Sequence, residues 1–389
     1  MEASAEQPIQ RWRRFGVTDR DAQRAVRKVW SDLHDPRTVV SSVEVSSNVS
    51  TNRVFLLRLD DGTNLFAKVS NYGSPFLFRE DHDRVQRLID AFRGTRYEGF
   101  LAAPLEARLE ARTEARTEAR TDDSGTKRRV HTYYDGSVWA VLYKEVERKE
   151  HLPRILDDAD IECLAHEMAR FHRACAEATT TASIPRTSTS VASDVVHLID
   201  LASDKTASRT LQLDADSLDH LRRHANRFLL SLDDLGYADM PRVPVFVDWN
   251  LGNFSVDRSA GGVQPFALFS RWDYDWFRTD SVLLDFYFLS RVSSQTGDRT
   301  RFSYGVHTLG EPRFRRFLAA YHEVSPLTEA DVEMIVETYR FFILHHVISV
   351  GDHFFRPELW DAFRRDAVTN GLPSIDRFDR TPLLRAIGA

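Results

Sequence analysis

Two short apolar segments, each ending in an acidic turn, constrain this chain most. The first covers residues 245–254 and carries Asp248 and, five residues later, Asn253. The second is Trp272-Asp273-Tyr274-Asp275. A buried strand that delivers a carboxylate into a turn is a common way to place oxygen ligands around a divalent cation. Each residue alone is also an ordinary turn former, but the ordered set predicts a site for Mg²⁺ and phosphate.

The chemistry of phosphoryl transfer needs few protein groups, because most of the work is positioning the nucleophile and neutralising phosphate charge. One carboxylate orients the acceptor hydroxyl, a second holds Mg²⁺ between phosphates, and a neutral oxygen can complete the coordination. Asp248, Asp273 and Asn253 match these three roles in that order.

These motifs resemble those of the aminoglycoside phosphotransferase and choline kinase superfamily, the small-molecule relatives of the protein kinases. Asp248 matches the catalytic Asp of the family's His-Gly-Asp loop, and Gly252-Asn253 matches its Gly-Asn pair. A later family Asp, which begins a helix, resembles Asp285. The resemblance implies an α+β, bilobal, protein-kinase-like fold, with a small antiparallel-sheet lobe followed by a larger, mostly helical lobe.

The catalytic loop departs from the family pattern at two positions. Phe246 stands in place of the family's first His, and Asn250 stands where many members carry a second His. In the family, the first His braces the loop and does not touch phosphate. A buried Phe is therefore expected to fill the same space by packing.

The N-terminal half contains a predicted hairpin with a Lys in its second strand. Residues 54–59 and 64–69 are apolar runs joined by Asp60-Asp61-Gly62-Thr63, a typical turn sequence. Lys68 lies within the second run and, on a buried strand, needs a partner for its charge. The resemblance implies that Lys68 contacts the α- and β-phosphates of ATP and pairs with a helix Glu. The alternative is a Lys on the solvent face of an edge strand.

Residues 78–92 predict the helix that follows, because apolar side chains recur there at three- and four-residue intervals. Glu80 is the predicted partner of Lys68, and Asp81 remains an alternative. Either acid could instead be a first-turn residue that favours the helix dipole.

Further nucleotide contacts come from two segments. The loop at 46–52 has no Gly, but its residues Ser47, Asn48 and Ser50 can donate hydrogen bonds to phosphate. Residues 138–143 predict a strand, and the resemblance implies that the hinge after it, at Glu145 and Val146, reads the adenine edge through its backbone.

A long amphipathic helix is predicted after the hinge, capped by Asp158 or Asp160. His172 is expected to be a packed, structural histidine. Cys163 and Cys175 lie twelve residues apart on this helix, about 18 Å, so they cannot form a disulfide. They predict buried thiols in a reducing, cytoplasmic setting.

Composition and charge limit the classes of partner that this protein is expected to bind. The 389 residues, 42% of them hydrophobic, suffice for two cores. A net charge of −6 without a basic, aromatic-rich block argues against nucleic-acid binding. No apolar run approaches about 20 residues, so no membrane segment and no signal peptide are expected.

The domain organisation follows from these elements. We expect an N-terminal helical extension at 1–40, a small nucleotide-binding lobe at 41–146 and a large helical catalytic and substrate lobe at 147–389. A Glu-Ala-Arg-rich, low-complexity insertion at 105–128 interrupts the small lobe and predicts a flexible hairpin or disorder without a chemical role.

The predicted function is ATP- and Mg²⁺-dependent phosphoryl transfer to a hydroxyl of a small molecule. Only eleven residues separate Asp273 from Asp285, too few for the activation segment of a protein-directed kinase. Two alternatives stay open. One is a nucleotide-binding pseudokinase or regulatory module, and the other is a glycosyltransferase using Asp273-Tyr274-Asp275 as a metal motif, which leaves Lys68 unexplained.

Overall fold

The structure is a computed structural model that describes residues 17–46, 52–108, 120–121, 127–259, 264–297, 304–353, 355 and 357–389. The chain divides into two compact units. The first contains the described residues up to Glu147 together with Ser270–Trp272, and the second contains Arg148–Phe269 and Asp273–Ala389. Among the described residues, no helix combines the length and hydrophobicity that spanning a membrane requires.

The first unit is built on β-sheet. Its strands are β1 (Val39–Glu44), β2 (Arg53–Leu59), β3 (Asn64–Ser70), β4 (Glu106–Arg108), β5 (Arg120–Thr121), β6 (Lys127–Val130), β7 (Thr132–Tyr134) and β8 (Trp139–Lys144). Five strands form an antiparallel sheet in the order β1-β2-β3-β8-β7, and three form a smaller sheet in the order β4-β6-β5. Within the predicted insertion at 105–128, β4, β5 and the start of β6 belong to the smaller sheet, and residues 109–119 and 122–126 lie outside the described residues.

The predicted hairpin is confirmed as β2 and β3. The two strands pair antiparallel with Val54 opposite Lys68. The turn closes where the Leu59 N–H donates to the Thr63 oxygen at 2.8 Å, and Gly62 adopts a φ of +84°, which favours glycine.

The described residues of this unit also form two helices, α1 (Asp19–Ser31) and α2 (Pro75–Ala91). Thr18 caps α1 by accepting the Asp21 N–H. The apolar face of α1 joins the core formed by the inner face of the five-stranded sheet, where Val29 is fully buried with Leu57 and Leu142. Burial of this face, at about 25 cal/mol per Å², fixes α1 to the sheet.

The second unit is mostly helical. Its helices are α3 (Asp158–Ala182), α4 (Val191–Ser203), α5 (Ala207–Leu211), α6 (Ala215–Asp234), α7 (Phe286–Val292), α8 (Pro312–Val324), α9 (Glu329–Phe342), α10 (Pro357–Asp366), α11 (Leu372–Asp376) and α12 (Thr381–Ala386). Helix α9 continues into a π-helical segment, Ile343–Ser349. Strand β9 (Val243–Val245) pairs with β12 (Arg278–Asp280), and β10 (Phe254–Asp257) pairs with β11 (Ala267–Arg271), whose last two residues are counted with the first unit. An antiparallel-sheet unit and a helical unit confirm the predicted α+β class.

The cap of helix α3 differs from the prediction. The N-cap residue is Asp157, whose carboxylate accepts the Asp160 N–H at 2.8 Å. The side chain of Asp160 is instead a partner of Arg258, whose two terminal nitrogens each lie 3.0 Å from it. The predicted apolar stripe of α3 is buried, including the free thiols of Cys163 and Cys175.

His224 on α6 provides a test of this helical core. The imidazole is buried, and Arg340 donates to its Nδ1 at 3.0 Å. Burial, and next the Arg340 charge, lower the pKa of His224 to about 4. In the unfolded chain His224 is therefore protonated near pH 6.5, whereas in the folded chain it is protonated only near pH 4.

Stability should consequently fall as the pH drops from 7 to 5. The His224 contribution to that loss is about 2 kcal/mol in the free energy of unfolding. Urea unfolding at both pH values measures it, and His224→Gln, which cannot titrate, should lose correspondingly less stability. An equal loss in the variant would contradict the assignment.

Candidate active site

The loop after β9 holds Asp248 in a tight turn. The Asp248 N–H donates to the Phe246 oxygen at 2.6 Å, and the Trp249 N–H donates to the Val247 oxygen at 3.0 Å. Phe246, Val247 and Trp249 are buried, whereas Asp248 is only half-buried. The Asn250 N–H donates to Asp248 Oδ1 at 3.1 Å. This turn therefore orients one partly exposed carboxylate among buried neighbours.

Val247 has an unfavourable backbone conformation, with a φ of +59°. A β-branched residue in the left-handed region is a genuine outlier and costs on the order of 1–3 kcal/mol. Such a conformation persists only where the surroundings fix it. Here the Val247 N–H donates to Asp285 Oδ1 at 2.7 Å.

Phe246 occupies an aromatic cluster. Its ring centroid lies 5.3–6.1 Å from the centroids of four other rings, those of Phe277, Phe171, Tyr274 and Trp249. The side chain is fully buried. Phe246 thus supports the loop by packing, in agreement with the expectation from the sequence.

Asp285, directly before α7, is the anchor of this loop. It is fully buried and receives a second hydrogen bond from Trp249, whose Nε1–H donates to Asp285 Oδ2 at 2.7 Å. His172 Nε2 lies 2.9 Å from the same oxygen, and His172 Nδ1 lies 2.8 Å from the Tyr321 hydroxyl. His172 therefore has a structural role, as the sequence predicted.

Trp249 and Tyr321 are the members of this network that the sequence did not single out. The available signal was a tryptophan directly after Asp248, because a buried indole requires a hydrogen-bond acceptor for its N–H.

Asn253 lies at the end of a short 3₁₀ turn, Leu251–Asn253. Its N–H donates to the Asn250 oxygen at 2.9 Å, and its side-chain Nδ2 donates to the Asp248 oxygen at 3.4 Å. Because the amide nitrogen faces the loop, Oδ1 is the atom that Asn253 can offer to a cation.

Asp273 follows β11 and has a φ of +70°, a conformation that Asp tolerates better than most residues. Strands β10 and β11 are neighbours joined by residues 258–266, too short a connection for parallel strands. The start of β10 therefore lies beside the end of β11. Asn253 directly precedes β10 and Asp273 lies two residues beyond β11, so both predicted metal ligands come to the same end of this pair.

The donor set is sparse for a protein-only metal site. Within the described ranges, no group of three or more His, Cys, Asp or Glu side chains could hold a metal ion. Mg²⁺ is commonly bound by one or two carboxylates together with substrate phosphates and water. One carboxylate and one amide oxygen, from Asp273 and Asn253, fit a Mg²⁺ that arrives with a nucleotide.

In the first unit, Lys68 is buried within β3, with 5% exposure. Strand β3 lies between β2 and β8, and Lys68 is opposite Val54 and Val141. The alternative of a solvent-facing Lys on an edge strand is therefore wrong. A buried ammonium at this position is costly unless it is paired.

Both candidate acids on α2 lie near a third residue, Arg84. Its Nη1 is 3.6 Å from Glu80 Oε2 and 3.4 Å from Asp81 Oδ1. Arg84 is 5% exposed and was not singled out from the sequence. The choice between Glu80 and Asp81 as partner of Lys68 stays a prediction.

The remaining predicted nucleotide contacts fall in two places. Ser47, Asn48 and Ser50 lie outside the described residues. Glu145 directly follows β8 and is exposed, Val146 is half-buried, and the Asn64 amide donates to the Glu145 carboxylate at 3.1 Å.

Three solved structures resemble this chain over almost its whole length. The amicoumacin kinase hAmiN in complex with AMP-PNP, Ca²⁺ and Ami has a TM-score of 0.55 at 13% identity, covering 94% of this chain and 100% of its own. The GDP complex of aminoglycoside 2'-phosphotransferase-IIIa has a TM-score of 0.52 at 13% identity, covering 92% and 99%. The microcompartment-associated aminopropanol kinase has a TM-score of 0.52 at 17% identity, covering 93% and 99%.

No protein-family model matches the sequence, and no curated protein does. The likeness in structure nevertheless shows the fold. This chain has the fold of the aminoglycoside phosphotransferases and related small-molecule kinases, which confirms the fold that its two acidic motifs predicted.

Proposed function

We propose that this protein is an ATP-dependent phosphotransferase that moves the γ-phosphoryl group to a hydroxyl of a small polar molecule. An amino sugar, sugar, amino alcohol or amino acid is the acceptor class. The observation that carries the proposal is the placement of Asp248. A strained turn, anchored on buried Asp285, holds the Asp248 side chain in a partly exposed position. Strain of this kind typically marks a functional site.

The proposed roles follow from chemistry. Asp248 orients the acceptor hydroxyl and takes its proton late in the transfer. Asn253 and Asp273 would hold Mg²⁺, which when bound neutralises charge on the β- and γ-phosphates. Lys68, paired with Glu80, would contact the α- and β-phosphates.

The other nucleotide contacts are assigned by the same reasoning. Backbone and hydroxyl groups of Ser47, Asn48 and Ser50 would cover the phosphates. Backbone groups at Glu145 and Val146 would read the adenine edge. The complex of the amicoumacin kinase with AMP-PNP and Ca²⁺ supports the use of ATP with a divalent cation, and the carboxylate and amide donors favour Mg²⁺.

A small acceptor is favoured over a protein. Between Asp273 and Asp285 the chain forms only β12 and a short 3₁₀ turn, Val282–Asp285, which leaves no length for a peptide-binding activation segment. The names of the similar structures, which include kinases of amicoumacin and aminopropanol, point the same way. The glycosyltransferase alternative expects alternating strands and helices before Asp273, whereas helices α3 to α6 fill most of the stretch before β9.

Calorimetric titration of the protein with ATP, with and without Mg²⁺, tests the proposal. We expect ATP binding that requires Mg²⁺ and weakens at least about tenfold, or 1.4 kcal/mol, in Asp273→Ala. Asp216→Ala removes an exposed carboxylate from the first turn of α6 and serves as the matched control. Metal-independent binding would favour the regulatory module, and absence of ATP binding would refute the proposal.

A further inference from the structure

The indole of Trp249 makes a buried hydrogen bond whose consequences reach beyond packing. Trp249 is fully buried, with edge-to-face contacts to Phe171 and Phe254 at centroid distances of 5.6 Å. A phenyl ring could make comparable contacts. What a phenyl ring would lack is the indole N–H, which donates to Asp285 Oδ2 at 2.7 Å.

The two residues that flank Asp248 are held by the two oxygens of one carboxylate. Val247 donates its backbone N–H to Asp285 Oδ1 at 2.7 Å, and Trp249 donates its side-chain N–H to Oδ2 at 2.7 Å. A single hydrogen bond leaves a loop able to pivot about it, whereas two bonds on opposite sides of Asp248 restrict rotation of its Cα–Cβ bond vector. A charge-assisted bond of this kind is about twice as strong as a neutral one.

His172 and Tyr321 fix the position of the carboxylate itself. A carboxylate oxygen accepts, so His172 donates to Asp285 Oδ2 from Nε2, 2.9 Å away. The other ring nitrogen, Nδ1, lies 2.8 Å from the Tyr321 hydroxyl. Burial raises the pKa of that hydroxyl well above its ordinary value, which keeps it protonated. The side chains of this hydrogen-bonded network, Tyr321, His172, Asp285 and Trp249, are all buried. Their geometry is therefore rigid.

We propose that Trp249 is a positioning residue, whose indole N–H sets the orientation of Asp248 through Asp285. In this chain the hydrogen bond adds a polar constraint to the packing that Phe246, a residue without polar side-chain atoms, provides. The inference rests on the proposed function for its catalytic meaning, but the positioning itself can be measured in the folded protein without any substrate.

The test compares the full chain with Trp249→Phe, which keeps an aromatic ring and removes one N–H. Hydrogen exchange followed by mass spectrometry should show at least tenfold faster exchange of the amides at 247–250. Amides of α9 should be unchanged, and the melting temperature should move by only a few degrees. Trp30→Phe, on half-buried Trp30 of α1, is the matched control and should leave the loop unchanged.

Turnover provides the second measurement. Acceptor-independent hydrolysis of Mg-ATP, with water as acceptor, should fall about tenfold in kcat with KM for ATP unchanged. Loop exchange in Trp249→Phe equal to that of the wild type would overturn the positioning role. An inactive wild type whose loop exchange still rises in Trp249→Phe would instead refute the proposed function and leave the positioning role supported.

Discussion

Asp248→Asn is expected to lower phosphoryl transfer by a factor of about 10³ while leaving the affinity for Mg-ATP within about twofold. A positioned general base contributes on the order of 10² to 10⁴ in rate, and the amide of the variant would lack both the charge and the proton affinity. Its side-chain oxygen can still accept the Asn250 N–H, which donates to Asp248 Oδ1 at 3.1 Å, so the loop should keep its shape.

Transfer can be measured as ADP release with an amino sugar and an amino alcohol, two of the proposed acceptor classes, and with water where neither reacts. Calorimetry supplies the ATP affinity of the same preparations. Asp216→Asn, on the exposed first turn of α6, controls for the loss of one negative charge. Turnover in Asp248→Asn within a few-fold of the wild type would remove Asp248 from the role of base.

The sequence was sufficient to predict the fold because its strongest patterns are local. Two apolar runs around Asp60-Asp61-Gly62-Thr63 predict the hairpin of β2 and β3. In the structure those runs pair with Val54 opposite Lys68. The two short acidic motifs supplied the fold class through their resemblance to a superfamily of small-molecule kinases, which implies a bilobal α+β fold. The structures that resemble this chain confirm that inference.

The architecture around Asp248 depends on contacts distant in sequence, which local patterns do not reveal. Trp249 and Asp285 are 36 residues apart, and His172 and Asp285 are 113 apart. No spacing rule predicts that one carboxylate collects donors from a loop, a helix and the backbone of Val247. The left-handed conformation of Val247 is similarly hidden, because nothing in a valine suggests a positive φ.

The partner of Lys68 shows a second kind of limit. The family resemblance indicated Glu80 on α2 and helical spacing indicated Asp81, and the structure adds Arg84, which lies within 3.6 Å of both. A buried guanidinium beside two carboxylates changes the electrostatics of each, and its position depends on how α2 packs. Sequence periodicity predicts which face of a helix is buried. It does not predict which of several charged side chains on that face pair with one another.

Asp285→Ala is expected to reduce the stability of the protein more than any other single change at this site. The substitution leaves three buried groups without an acceptor, the N–H groups of Val247, Trp249 and His172. An unsatisfied buried donor costs about 1–3 kcal/mol, and the strained φ of Val247 loses the hydrogen bond that holds it. We expect the free energy of unfolding to fall by about 3–5 kcal/mol.

Urea unfolding of Asp285→Ala measures this loss, with Asp273→Ala as the matched control, because half-buried Asp273 should cost far less. Asp285→Asn should lose an intermediate amount of stability. Its amide oxygen can still accept hydrogen bonds, but its NH₂ group would face donors that have no acceptor left. Transfer activity should vanish in Asp285→Ala even at temperatures where the chain remains folded, because Asp248 then lacks both of its anchors. A stability loss below about 1 kcal/mol would mean that water or a rearranged side chain replaces the carboxylate, and the loop would then be held by packing around Phe246.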